Sequence, residues 1–183
     1  MKKFILMAAM VFASVASFAQ QPVGTFSIQP KVGISIAELT DNSGDARIGV
    51  LAGAEAMYQA TDIFGISVGA IYQQQGIKSD NATLKLDYVN VPILANVYVV
   101  KGLAVKLGIQ PGFLVAANED NIKDNMNTVD FSIPVGISYD FDCGLVLDAR
   151  YNCGITNVYK DSYYNNSNTN DVFSFTVGYK FKL

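Results

Sequence analysis

The chain has no histidine, no tryptophan and only two cysteines among its 183 residues. Without an imidazole there is no Ser–His or Cys–His nucleophile pair, and most zinc sites lose their usual ligand. No catalytic, cofactor-binding or metal-binding set is legible, and the chain reads as a non-enzyme. Cys143 and Cys153 fall on or beside one strand-like segment. Along a strand rising ~3.3 Å per residue they would stand roughly 33 Å apart, against a limit of about 7 Å for a disulfide. They read as small hydrophobes, unbridged and too distant to share a metal.

Basic residues are also scarce, with 13 Lys and Arg against 16 Asp and Glu. No basic stripe exists to neutralise phosphates, which argues against nucleic acid as a partner. Long apolar runs are missing too, except at the start. Lys2 and Lys3 precede the apolar stretch 4–19, and Ser17-Phe18-Ala19 offers a small-x-small exit before Gln20. That layout is a secretory signal peptide over 1–19. Its removal takes away two lysines and leaves 11 basic against 16 acidic residues, a net charge of −5. Hydrophobic residues make up 50% of the chain, yet no later run reaches 18 residues. A membrane protein of this kind cannot cross by helices.

What the sequence does have is alternation. Successive strand residues point to opposite faces, so period 2 marks a strand with one apolar face. In 128–141 Val129, Phe131, Ile133, Val135, Ile137, Tyr139 and Phe141 alternate with Asp130, Ser132, Pro134, Gly136, Ser138 and Asp140. The same pattern runs through 26–36, 63–73, 103–115, 145–155 and 172–183. Residues 47–59 are richer in Gly and Ala. Residues 83–99 change phase, from Leu84, Leu86 and Tyr88 to Val89, Val91, Ile93 and Val97; a bulge near Tyr88 would restore one face. These are eight candidate strands.

The connections alternate in length. Segments 39–47, 74–83, 117–127 and 157–170 read as long and polar, whereas 60–62, 100–102 and 142–144 read as tight turns. The pattern predicts an all-β fold over 20–183, an eight-stranded antiparallel up-and-down transmembrane β-barrel. Its tight turns would face the periplasm and its long loops the outside. A 13-residue segment such as 103–115 would be roughly 43 Å long and, tilted about 40°, would cover the ~25 Å apolar band of such barrels. Phe26, Tyr58, Phe64, Tyr98, Tyr139, Phe141, Tyr179 and Phe181 would form a girdle at the tight-turn rim.

A soluble barrel would point the apolar face inward instead. The polar face here is mostly Gly, Ser, Asn and Gln, a poor soluble exterior but a good filling for a narrow tube. Pro30, Pro92, Pro111 and Pro134 fall inside proposed strands, where each removes a ladder donor. Bulges or strand ends are the expected accommodation.

The polar face carries Lys31, Arg47, Glu55, Lys106, Asp130, Asp148 and Arg150. The favoured reading is a lumen plug of paired charges, Lys31, Glu55, Lys106, Asp130, Asp148 and Arg150 above all; the competing one is an ion path or small-solute site. Glu119, Asp120 and Asp124 form an acidic loop cluster whose spacing matches no calcium loop. Tyr159, Tyr163 and Tyr164, set among asparagines, are candidates for recognition of an extracellular protein or glycan.

Three stretches carry a resemblance. LDYVNVPILAN at 86–96, GIQPGFL at 108–114 and the closing FSFTVGYKF at 173–181 resemble the PorT-like outer-membrane β-barrel domain of Bacteroidetes. The resemblance implies an eight-stranded barrel in the cell outer membrane, exported by the secretory pathway. Its partners would be outer-membrane lipid and, during biogenesis, the barrel-assembly machinery, with Phe181 serving in recognition by the latter. The family's named member is linked to secretion and gliding machinery, so an accessory role in secretion is one implied function. No functional residue carries over. Taken together, the expected role is structural or interactive, through extracellular loops and without a cofactor; the alternative is a narrow pore or solute-binding barrel.

Overall fold

In a computed structural model, the structure describes residues 22–39, 45–79, 82–117, 127–156 and 169–183. The proposed signal peptide, the acidic cluster at 119–124 and Tyr159, Tyr163 and Tyr164 lie outside the described residues. The strands are β1 (Phe26–Leu39), β2 (Asp45–Gln59), β3 (Phe64–Ser79), β4 (Ala82–Asn90), β5 (Ile93–Val100), β6 (Leu103–Ala117), β7 (Val129–Asp140), β8 (Leu145–Gly154), β9 (Asn170–Tyr179) and β10 (Phe181–Lys182). β4 and β5 are two halves of one strand: both pair with β3 and with β6 in continuous registers. β9 and β10 likewise share one register on β1, and that pairing closes the sheet. The result is a closed, eight-stranded, antiparallel β-barrel in which each strand pairs with its chain neighbours.

Alternation fixes which way the side chains point. Phe131, Ile133, Val135, Ile137 and Tyr139 are exposed on the outer surface, and their neighbours Ser132, Pro134 and Ser138 are buried inside. The same division holds on β1, β2, β3, β6, β8 and β9. A tube with an apolar outside and a polar inside is the inverse of a soluble barrel, and it suits hydrocarbon.

Strand four departs from the expected phase. Leu86 and Tyr88, each 1% exposed, point into the lumen, as do Leu94 and Tyr98, whereas Ile93 and Val97 face out. Even residues therefore point inward from Leu86 to Tyr98, and no flip occurs there. A bulge does lie at this level, but on the partner strand: Asp87 pairs with Ala116 and Tyr88 with Leu114, so Val115 of β6 is the extra residue. The apparent phase change came from two large apolar side chains that serve as lumen filling.

The four prolines account for four gaps in the ladder. In an antiparallel pair, one missing N–H deletes its own hydrogen-bonded pair and the adjacent pair that shares that bond. Opposite β9 and β10 the register of β1 skips Gln29 and Pro30. Between β3 and the fourth strand it skips Val91 and Pro92, where only Gly69 N–H to Pro92 O survives, at 2.9 Å. Between the fourth strand and β6 it skips Gln110 and Pro111, where Val91 N–H still donates to Pro111 O at 2.8 Å. Between β6 and β7 it skips Ile133 and Pro134. Neither a strand end nor a bulge is needed at any of them. The gaps are also why the fourth and eighth strands are each split in two.

The turns at one rim are tight. Residues 60–63, 101–102 and 141–144 join β2–β3, β5–β6 and β7–β8. Gly102 and Gly144 take φ of 75° and 92° there, a left-handed conformation that a side chain would strain. At the other rim, two connections expected to be long are not. β1 and β2 are separated only by residues 40–44, and β3 and β4 only by 80–81, with Ser79 paired to Ala82. Polar residues such as Gln73, Gln74 and Gln75 continue the ladder, because backbone pairing does not require an apolar face.

Around the tight-turn rim the aromatics pair: Phe26 with Tyr58 at 4.8 Å, Tyr139 with Phe141 at 4.7 Å and Tyr179 with Phe181 at 4.8 Å between ring centroids. Tyr98 is not in this girdle; its ring is buried in the lumen.

Candidate functional site

Among the described residues, charge is concentrated in the lumen. Inward positions on four strands bring Lys31 (β1), Glu55 (β2), Lys106 (β6), Asp148 and Arg150 (β8) into one cluster, each less than 6% exposed. Glu55 Oε1 lies 3.0 Å from both Lys31 Nζ and Arg150 Nη2. Asp148 Oδ2 lies 2.6 Å from Lys106 Nζ, 2.9 Å from Arg150 Nη2 and 3.7 Å from Lys31 Nζ. Arg150 thus bridges the two carboxylates, and each carboxylate is shared among the cations. The backbone makes room by glycine: a Cβ on Gly69 would stand 2.6 Å from Glu55 Cγ, and one on Gly178 3.1 Å from Lys31 Cβ.

Of the six charges singled out in the sequence, Asp130 is the one the structure places elsewhere. It sits on β7 opposite Gly112, six positions from Gly136, the partner of Arg150. There it accepts a hydrogen bond from Thr156 Oγ1. Arg47, toward the same end, donates to the carbonyl of Gln75.

A second charged group, which sequence reasoning did not single out, closes the tight-turn end. Lys180 is paired with Asp140 and lies 3.2 Å from the Tyr98 hydroxyl. Tyr98 in turn donates to Asp140 Oδ2 at 2.9 Å, and its ring packs with Met57 and Ala104. Lys180 and Asp140 both sit on the polar face of their segments, so the signal was there. It was obscured because Tyr98 was read as a rim aromatic. Amides and hydroxyls fill the rest of the lumen: Asn90 donates to Gln73 at 2.7 Å and Asn96 to Ser67 at 3.0 Å. Beside the main cluster a cavity of about 10 Å³ remains, lined by Lys31, Gln73, Asp148, Arg150, Asn152 and Thr176 among others.

A closed eight-stranded barrel with an apolar exterior and a charged, filled interior is the architecture of a transmembrane β-barrel. The chain belongs to the outer membrane protein β-barrel domain family, which matches residues 5–181. A search of curated protein sequences finds no match. Among solved structures, the chain resembles Neisserial surface protein A at 14% identity, over 86% of this chain and 97% of that one, with a TM-score of 0.54. It also resembles Ail, the attachment invasion locus protein of Yersinia pestis, at 13% identity, over 87% and 99% of the two chains, with a TM-score of 0.51. At such identities the likeness is one of fold.

Proposed function

We propose that this chain is a plugged outer-membrane barrel that acts through the segments at the rim opposite its tight turns, by binding an extracellular protein or glycan, and not by catalysis or transport. The observation that carries this reading is the lumen. Five charged side chains converge there, a second charged layer closes one end, and about 10 Å³ of space is left beside the main cluster. Eight-stranded barrels are barely wide enough for their own side chains. A role in contact with the outside then falls to the connecting segments, among which 157–168 carries Tyr159, Tyr163 and Tyr164. Ail, which the fold resembles, is described as an attachment invasion locus protein, so the architecture is compatible with adhesion.

The finer assignments belong to the same reading. The chain is exported with cleavage after Ala19, assembles in the outer membrane with Phe181 contributing to recognition, and is of the PorT-like type found in Bacteroidetes. Service to a secretion system is one form its partner binding would take. The test is a pull-down and glycan-array comparison of the wild type with a Tyr159→Ser/Tyr163→Ser/Tyr164→Ser variant, in detergent or nanodiscs. The expected result is a partner lost in the variant while the barrel stays folded. Stepwise single-channel current from the purified barrel would instead favour the pore.

A further inference from the structure

The outer face carries a groove. On β8 the outward residues include Leu147, Ala149, Tyr151 and Cys153, and Ala149 is the smallest of them. It pairs with Ile137 of β7 on one side and Phe175 of β9 on the other, so two large side chains stand beside a methyl group. In the next row toward the tight turns Tyr139, Leu147 and Val177 are in register. These two rows border a groove of about 270 Å³. One water needs only about 10–15 Å³, so the groove has room for a length of hydrocarbon chain. Ser138, Asp148 and Thr176 also border it, but their side chains are buried in the lumen, so none offers the groove a charge.

The groove ends at the aromatic girdle, where the chemistry turns polar. A Cβ on Gly102 would stand 3.4 Å from Tyr139 Cζ, and one on Gly144 3.1 Å from Tyr179 Oη, so both phenol tips reach down to the turns. Leu103, which also lines the groove, is in register with Tyr139 and directly follows the turn 101–102. Lys101 of that turn donates to Asp142 Oδ2 of the neighbouring turn at 3.1 Å. The Asp142 side chain is 70% exposed and that of Lys101 26%. The foot of the groove therefore offers phenol hydroxyls, an ammonium with N–H donors to spare and an accessible carboxylate.

We propose that this groove binds one phospholipid of the leaflet at the tight-turn rim, with an acyl chain along Ala149 and a zwitterionic, amine-bearing headgroup at Lys101 and Asp142. The groove lies in the apolar band of the barrel, so its occupant is hydrocarbon. An acyl chain gains no hydrophobic driving force by leaving its neighbours. Its preference for this place comes from the dispersion contacts that an unfilled dent forfeits, and from the polar foot. There the phosphate accepts from Lys101 and the phenols, and the headgroup ammonium donates to Asp142. One charge of each sign matches a zwitterion and gives an anionic headgroup no net attraction. The inference rests on the barrel's place in the outer membrane and not on what its opposite rim binds.

Native mass spectrometry tests it, on the mature barrel extracted from outer membranes in mild detergent and activated until detergent is stripped. The expected result is one phospholipid of the ethanolamine class retained per barrel. Ala149→Phe, which fills the floor of the groove at an outward position, should lose it. Val135→Phe, outward on β7 but not bordering the groove, should keep it. In nanodiscs of mixed phosphatidylethanolamine and phosphatidylglycerol, the wild type should retain the former, and Lys101→Ala/Asp142→Ala should lose that preference. Heat-modifiable gel migration checks that each variant is folded. A wild type stripped bare, equal retention in Ala149→Phe, or a headgroup preference unchanged in the double variant would overturn the proposal. So would a dimer abolished by Ala149→Phe, since a second copy would then occupy the groove. Should Ala149→Phe fail to fold, retention and headgroup preference in the wild type decide.

Discussion

At the scale of single residues the lumen is held by mutual dependence. Asp148 touches three cations, so Asp148→Ala leaves them facing Glu55 alone in a buried setting. Removing one partner of a buried ion cluster costs about 3–5 kcal/mol, and Asp148→Ala should lower stability by that amount in a urea titration in detergent. Pairing it with Lys106→Met should recover much of the loss, because the charge imbalance returns to its original value. A double variant no better than the single one would show that packing, not charge, holds Asp148. Gly69 tests the same cluster from the backbone side. Gly69→Val puts a Cβ 2.6 Å from Glu55 Cγ and 2.9 Å from the Ala54 carbonyl oxygen. Overpacking of this kind costs about 1–3 kcal/mol, and Glu55 should move off Arg150 in a structure of the variant. Facing decides the outcome on the outer surface. Ile133 points outward and its neighbour Ser132 inward. Ile133→Arg should therefore cost about 2–4 kcal/mol in a bilayer unfolding assay, for a charge set against hydrocarbon. A Ser132→Arg cost as large as this would deny the assigned facing.

At the scale of the strand, prolines and connections separate what alternation reports from what it does not. Alternation reads out facing wherever every second residue is apolar, and on seven of the eight strands it assigned the outer face correctly. On the fourth it failed at Leu86 and Tyr88, because a lumen filled partly by large apolar side chains looks like a strand that has changed phase. Strand length was underestimated for a related reason. Alternation ends where the strand leaves the apolar band, while pairing continues to Ser79 and Ala82. Lys31, Glu55, Lys106, Asp148 and Arg150 were visible as inward charges. Which of them would pair with which was not, because it depends on stagger between strands far apart in sequence, as between Glu55 and Arg150. The prolines offer a direct test of the ladder argument. Pro111 faces the partially exposed outer side, and its missing N–H leaves the Val91 carbonyl without that donor. Pro111→Val should fill the gap, give a slowly exchanging amide at position 111 and leave stability unchanged or raised by up to about 1 kcal/mol. A freely exchanging amide there would mean the gap has another cause.

At the scale of the whole molecule, the two faces of the sheet answer to different solvents. The outer face is apolar in a band between rims, and aromatic pairs such as Tyr139 with Phe141 mark the tight-turn end. The inner face stacks the Lys180–Asp140–Tyr98 layer below the five-membered charge cluster, with amides filling the rest. The closure bonds of β1 with β9 and β10 hold the circumference fixed. On the plugged-barrel reading proposed above, a tube filled this way carries no continuous water column. Purified barrels in a planar bilayer should therefore show no stepwise conductance at either polarity. The charge-neutral variant Lys180→Met/Asp140→Leu should stay equally silent, since the main cluster still blocks the path. Conductance that appears on removing the lower layer alone would show that the upper cluster is permeable. The lumen would then be a gated route closed at its periplasmic end.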